Sequence, residues 1–113
     1  MHELSLALSI VDIAEEEVRR TGGTQVEKIV LEIGRLAGVE EEALAFAWPE
    51  AVKHTVLEKA EWVVVHKEGK ARCLTCSKEF SLTYLYDLCP FCSDFRKELL
   101  QGKEISIRSL TII

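Results

Sequence analysis

The sequence predicts an α+β fold: two helices on a three-stranded sheet, with a four-cysteine module inserted between the last two strands. Three observations lead there. Two stretches, 4–20 and 40–53, place apolar residues at helical spacing. Three runs, 26–33, 61–67 and 104–112, are rich in β-branched residues and read as strands. The segment between the second and third runs carries all four cysteines. A chain of 113 residues is one small domain, or one domain with a module inserted. The expected division is a domain over 1–69, completed by 104–113, and a module over 70–103.

In the first helix, Leu4, Ala7, Leu8, Val11, Ala14 and Val18 fall on one stripe, which Leu6, Ile10 and Ile13 widen. Glu15, Glu16 and Glu17 followed by Arg19 and Arg20 read as a solvated end with favourable charge pairs. Thr21-Gly22-Gly23 stops the helix. In the first strand, Ile29, Leu31 and Ile33 share one face, Lys28 and Glu32 lie on the other, and Gly34 ends it. The second helix opens on Glu40, Glu41 and Glu42, which suit the positive end of the helix dipole. Leu44, Ala47, Trp48, Ala51 and Val52 form its buried stripe, and Pro49 predicts a kink or a break. The second strand, EWVVVHK, leads into the cysteines, and the third follows them. These two strands are expected to pair antiparallel, with the module growing from their tips.

Charge and motifs narrow the function. The net charge is −5, unevenly spread. Residues 70–103 carry six Lys/Arg against four Asp/Glu, whereas the rest carries eight against fifteen. A surplus of two is too small for a nucleic-acid surface, and the remainder would repel phosphate. No apolar run is long enough to cross a bilayer. Met1 is followed directly by HELSLALS, without a basic segment or cleavage site, so the expected location is cytoplasmic. There is no nucleophile motif, Gly-rich phosphate loop or pair of catalytic carboxylates, so the protein is expected not to be an enzyme. His54 near the end of the second helix and His66 on a strand edge read as surface residues, and Trp48 and Trp62 as core.

Cys73-x2-Cys76 and Cys89-x2-Cys92 are separated by twelve residues. Two such knuckles can set four thiolates at the corners of a tetrahedron, the arrangement of a structural zinc site. Two disulfides would suit a secreted mini-protein. A thioredoxin-like redox pair needs one C-x2-C, and here there are two. Rubredoxin-type iron shares the four-thiolate shell and stays open; zinc is the better default because nothing nearby suggests electron transfer. One structural zinc per chain is expected, in a zinc ribbon too small to fold on its own core. Such a metal contributes on the order of 10–16 kcal/mol in small peptides. Phe80, Leu82, Tyr84, Tyr86, Leu88 and Phe91 are expected to pack around it. The chain commonly turns left-handed after each knuckle, where glycine is frequent; Ser77 and Ser93 stand there, at a cost of about 1–2 kcal/mol each.

The opening Met1-His2-Glu3 suggests a second metal. A bulky second residue generally blocks removal of the initiator Met, leaving the amine on Met1. That amine, the His2 backbone nitrogen and the His2 imidazole can close fused chelate rings on one ion, with Glu3 as a fourth donor. Nitrogen-rich tetragonal sites favour Ni(II) or Cu(II).

With MHELSLALSIV at the start, GRLAGVEEEALAFAW in the middle, CLTC and CPFC joined by twelve residues, and EISIRSLTII at the end, the chain resembles the HypA/HybF family. The resemblance spans essentially the whole chain. It implies a nickel metallochaperone of nickel–iron hydrogenase maturation, with nickel at Met1, His2 and Glu3 and structural zinc at Cys73, Cys76, Cys89 and Cys92. It also implies an acidic residue near the nickel, at a position matching Glu40, although Glu40 is equally explained as a helix-start charge. The implied partners are a HypB-type nickel-handling GTPase and the hydrogenase large subunit; some relatives serve urease. The competing expectation is a zinc-ribbon adaptor with no nickel site.

Overall fold

The computed structural model describes residues 2–113; Met1, expected among the nickel ligands, lies outside the described residues. The element order is α1 (His2–Thr21), β1 (Val26–Gly34), α2 (Glu41–Val52), β2 (Glu61–Lys67), β3 (Gly69–Cys73), β4 (Glu79–Leu82), β5 (Lys97–Gln101) and β6 (Ile105–Ile112). The fold is α+β, with two helices and two three-stranded sheets. The chain forms two compact units. The first runs to Leu31 and takes in Val39–Val64 and Ile107–Ile113; the second is Glu32–Gly38 with Val65–Ser106.

In the first unit, α1 buries Ala7, Ile10, Val11, Ala14 and Val18. Ile10 therefore replaces Leu8 in the buried stripe, and Leu8 and Ile13 are exposed. Gly22 has a φ of 74° and ends the helix. Its N–H donates to the Arg19 carbonyl, and the Gly23 N–H to that of Val18, the Schellman pattern that satisfies the last carbonyls. The buried stripe of α2 is Leu44, Ala47, Trp48, Ala51 and Val52, as the spacing predicts. The expected break at Pro49 does not occur: the helix continues to Val52. Proline removes the donor for the Ala45 carbonyl, but Ala45 and Pro49 are both exposed, so water can satisfy it. Trp48 stacks on Trp62 of β2 at 4.6 Å between ring centroids. The Glu15 carboxylate accepts the Val56 N–H at 3.0 Å, tying α1 to the turn after α2.

The order β2-β1-β6 corrects the expected pairing. The second and last strands of the sequence reading do not pair with each other; β1 lies between them. Burial gives the reason. Strand β1 fully buries Ile29 and Leu31 and nearly buries Val26 and Ile33, whereas β2 and β6 contain no fully buried residue. The most apolar strand takes the middle, where both backbone edges are bonded and neither is open to water.

The second unit holds the sheet β4-β3-β5, all antiparallel. Arg72 pairs in register with Glu79 and Glu98 and forms an ion pair with each, at 3.3 and 3.0 Å. On the opposite face lie Ala71, Phe80 and Leu82, which with Leu36, Cys73 and Cys89 make up the unit's buried core. Leu36 comes from far upstream. Its segment is stitched in by backbone bonds from Gly34 to Glu104, Arg35 to Lys67 and Leu36 to Gly102. A Cβ on Gly34 would collide with the backbone of Gly102, so glycine is required for this approach.

Leu36→Ala should destabilise the second unit by about 2–5 kcal/mol, the range for a buried leucine. Leu85→Ala, at an exposed position, should change stability by less than about 0.5 kcal/mol. Urea denaturation of both variants decides whether Leu36 belongs to this core; equal midpoints would remove it.

Candidate metal centre

Each knuckle is built by the same short-range bonds. The Ser77 N–H donates to the Cys73 carbonyl and the Cys73 N–H to that of Lys78; the Ser93 N–H donates to the Cys89 carbonyl and the Cys89 N–H to that of Asp94. These turns leave Ser77 and Ser93 at φ of 65° and 64°, the left-handed geometry expected of them. The turns also aim backbone N–H groups at sulfur. Thr75 and Cys76 donate to Cys73 Sγ at 3.4 and 3.5 Å, and Phe91 donates to Cys89 Sγ at 3.4 Å.

The two knuckles face each other. Cys73 and Cys92 sulfurs are 3.5 Å apart, those of Cys76 and Cys89 3.7 Å, and all four lie within 4.8 Å of one another. A tetrahedral ion bonded to sulfur at about 2.3 Å would hold its ligands about 3.8 Å apart. The spacing therefore fits a single four-thiolate metal. All four cysteines are free, which sets aside the two-disulfide reading. Cys73 and Cys89 are buried, Cys76 is half-buried and Cys92 is exposed.

The electrostatics suit a cation. The Cys76 N–H, followed by that of Thr75, holds the Cys73 thiol down to about 6 against the effect of burial. Cys92 receives the Asp94 N–H, yet the adjoining Cys73 sulfur, burial, and Cys76 and Cys89 together push it up to about 12. Thiolates this close cannot all stay ionised unaided; a bound divalent ion inverts the balance and favours all four.

Contacts that the sequence reading missed surround this cluster. Asp94 binds the Thr75 hydroxyl, the Arg96 N–H at 2.9 Å and the Arg96 guanidinium at 3.0 Å. The signal was an aspartate two residues past the last cysteine, a common turn-former. By contrast, Tyr84, Tyr86, Leu88 and Phe91, expected to pack around the metal, are all exposed. Only Phe80 and Leu82 of that set are buried, because they alternate on β4 toward the core.

The N-terminal candidates lie in the first unit. His2 opens α1 with its side chain 64% exposed. Glu3 is only 13% exposed; its carboxylate lies 3.4 Å from His2 Nδ1 and accepts the Glu40 N–H at 3.2 Å. That backbone bond, ahead of smaller contributions including His2, lowers the Glu3 pKa. Glu40 is the N-cap of α2 rather than part of its first turn, and its side chain makes no cap bond. The structure thus brings His2, Glu3 and the Glu40 backbone together. His54, at φ 63°, and His66 are exposed. Among the described residues, the four cysteines are the cluster of ligand-type side chains that converges tightly. No helix among the described residues is long and apolar enough to cross a membrane.

Comparison with known proteins agrees with this geometry. The family described as "Hydrogenase/urease nickel incorporation, metallochaperone, hypA" matches residues 1–112. Hydrogenase maturation factor HypA of Chlorobaculum tepidum is 42% identical over 112 residues, covering 99% of each chain. That of Francisella philomiragia is 42% identical over 110 residues, covering 97% of each. The solution structure of the Ni metallochaperone HypA from Helicobacter pylori superposes with a TM-score of 0.73 over 98% of this chain and 97% of its own, at 22% identity, a likeness of fold. Matched from end to end by relatives of this identity, the chain belongs to the HypA family of hydrogenase maturation factors.

Proposed function

We propose that this protein is a cytoplasmic, non-enzymatic nickel metallochaperone that carries Ni(II) at its N-terminus and delivers it during nickel–iron hydrogenase maturation. The observation that carries the reading is full-length membership of a family described by nickel incorporation. Urease is a further client that the same description allows. The proposed nickel donors are the Met1 amine, the His2 backbone nitrogen and imidazole, and Glu3; Glu40 stays nearby through its backbone bond to Glu3. The exposed imidazole of His2 supports this reading, because cargo must be taken up and passed on. The proposed recipients and partners are the hydrogenase large subunit and a HypB-type GTPase.

The same proposal places one structural Zn²⁺ on Cys73, Cys76, Cys89 and Cys92, supported by the sulfur spacing. Nickel binding then belongs to 1–69, completed by 104–113, and zinc binding to 70–103. Zinc would supply no chemistry beyond holding thiolates that otherwise repel.

Elemental analysis should find one zinc per chain, in a colourless protein; a red, iron-bearing protein would replace zinc by a rubredoxin-like centre. Cys76→Ala or Cys89→Ala should lose the metal and unfold the second unit. Acidification should also release it, because protons reclaim the thiolates that the metal needs.

Adding Gly-Ser ahead of Met1 turns the amine into an amide and moves the free terminus away. The His2 imidazole and all four cysteines are unchanged. Nickel affinity should fall by tenfold for every 1.4 kcal/mol of ligand binding lost, while zinc content and nickel-free thermal stability should hold. His2→Ala should behave alike. Calorimetric titration showing equal nickel affinity in extended and native proteins would remove the amine from the site.

A further inference from the structure

We propose that Asp94, Thr75 and Arg96 form a latch that holds the two cysteine knuckles at metal-binding spacing and sets how slowly the bound metal leaves. The proposal rests on the reading that the four thiolates hold a metal. Thr75 lies between the cysteines of the first knuckle, and Asp94 follows the second. The Asp94 carboxylate spans them: it accepts the Thr75 hydroxyl through Oδ2 and, through Oδ1, the Arg96 N–H at 2.9 Å. The Arg96 guanidinium closes the ring, reaching Asp94 Oδ2 at 3.0 Å, Asp94 Oδ1 at 3.4 Å and Thr75 Oγ1 at 3.1 Å. The backbone adds a second tie, from the Leu74 N–H to the Arg96 carbonyl at 3.1 Å.

Asp94 also works inside its own knuckle. Its carbonyl accepts the Cys89 N–H at 3.0 Å. One residue therefore ties a cysteine of its own knuckle to the loop of the other. An isolated exposed ion pair contributes little. This one is a two-pronged arginine–carboxylate contact with the carboxylate 19% exposed, a geometry that resists opening. Metal exchange needs a sulfur to leave, and Cys92 is the exposed sulfur that a competing ligand meets first. Cys92 lies two residues before Asp94, so moving it outward pulls on the short turn that carries the latch carboxylate. Contacts of this outer kind generally alter metal affinity when removed.

The test follows zinc transfer from the full chain to excess 4-(2-pyridylazo)resorcinol at fixed pH, alongside Co(II) absorption spectra. Thr75→Val and Asp94→Ala should speed transfer by about 10-fold to 100-fold. Arg96→Ala should also speed it, and Arg96→Lys should recover part of the native rate. All should keep the Co(II) charge-transfer bands of a four-thiolate tetrahedral site, which separates latch loss from ligand loss. Native transfer rates in Asp94→Ala and Thr75→Val would overturn the latch. Thr75→Val removes one exposed hydroxyl at nearly constant shape, so its native rate alone would suffice should Asp94→Ala not fold. A native chain that binds no metal would instead overturn the four-thiolate reading itself, and the latch with it.

Discussion

Four sulfurs within 4.8 Å of one another are the constraint on which the second unit depends. Its core has six buried residues, and two of them, Cys73 and Cys89, belong to the sulfur cluster. A core so small cannot offset the entropy of ordering its chain by apolar burial alone. A third of it consists of groups that repel one another once ionised. The strands β3, β4 and β5 supply hydrogen bonds but little enclosed volume. A metal bonded to all four sulfurs removes the repulsion and closes a long loop of chain. The left-handed Ser77 and Ser93 show the same ordering of energies: two unfavourable turns are accepted because they aim backbone N–H groups at the sulfurs.

Even so, the unit recruits help from far upstream. Leu36 enters its core, and the glycine at 34 lets that segment approach Gly102 closely. The connection between β1 and α2 is therefore part of the cysteine unit, although 34 residues lie between Leu36 and Ala71. The sequence assigns Leu36 to no element, because nothing local marks a lone leucine as core. Leu36 follows a strand end and shows no period, and only the tertiary contact identifies it.

The same distinction runs through the whole chain. Helix positions, the α2 stripe and the left-handed serines were legible because spacing or local sterics decides them. Strand order was not, since it depends on which strand is most completely buried, a comparison across the chain. Tyr84, Tyr86, Leu88 and Phe91 misled for a related reason: hydrophobicity argues for burial, but a loop beside a small core has no interior to offer. The convergence of the four cysteines was legible from spacing alone. The latch was not, because threonine, aspartate and arginine are ordinary surface residues until folding sets them side by side.

The two proposed metal sites differ in the ways that holding and handing over require. Four thiolates from two backbone-braced loops form a shell of soft anionic donors, two of them buried, with Asp94 tying the loops together. Release from that shell begins at the exposed Cys92 and must also free three sulfurs that are less exposed. The proposed terminal amine, backbone nitrogen and imidazole would form a different kind of site, with His2 opening α1. His2 is open to solvent, and Glu3 is held by a bond to another element. The amine and the backbone nitrogen must each shed a proton to bind and can regain one on release. Through its bond with the Glu40 N–H, Glu3 ties the proposed nickel site to the start of α2. On the proposed reading one short chain retains one ion and surrenders another, because the thiolate shell is largely enclosed whereas the proposed chelate includes an exposed imidazole.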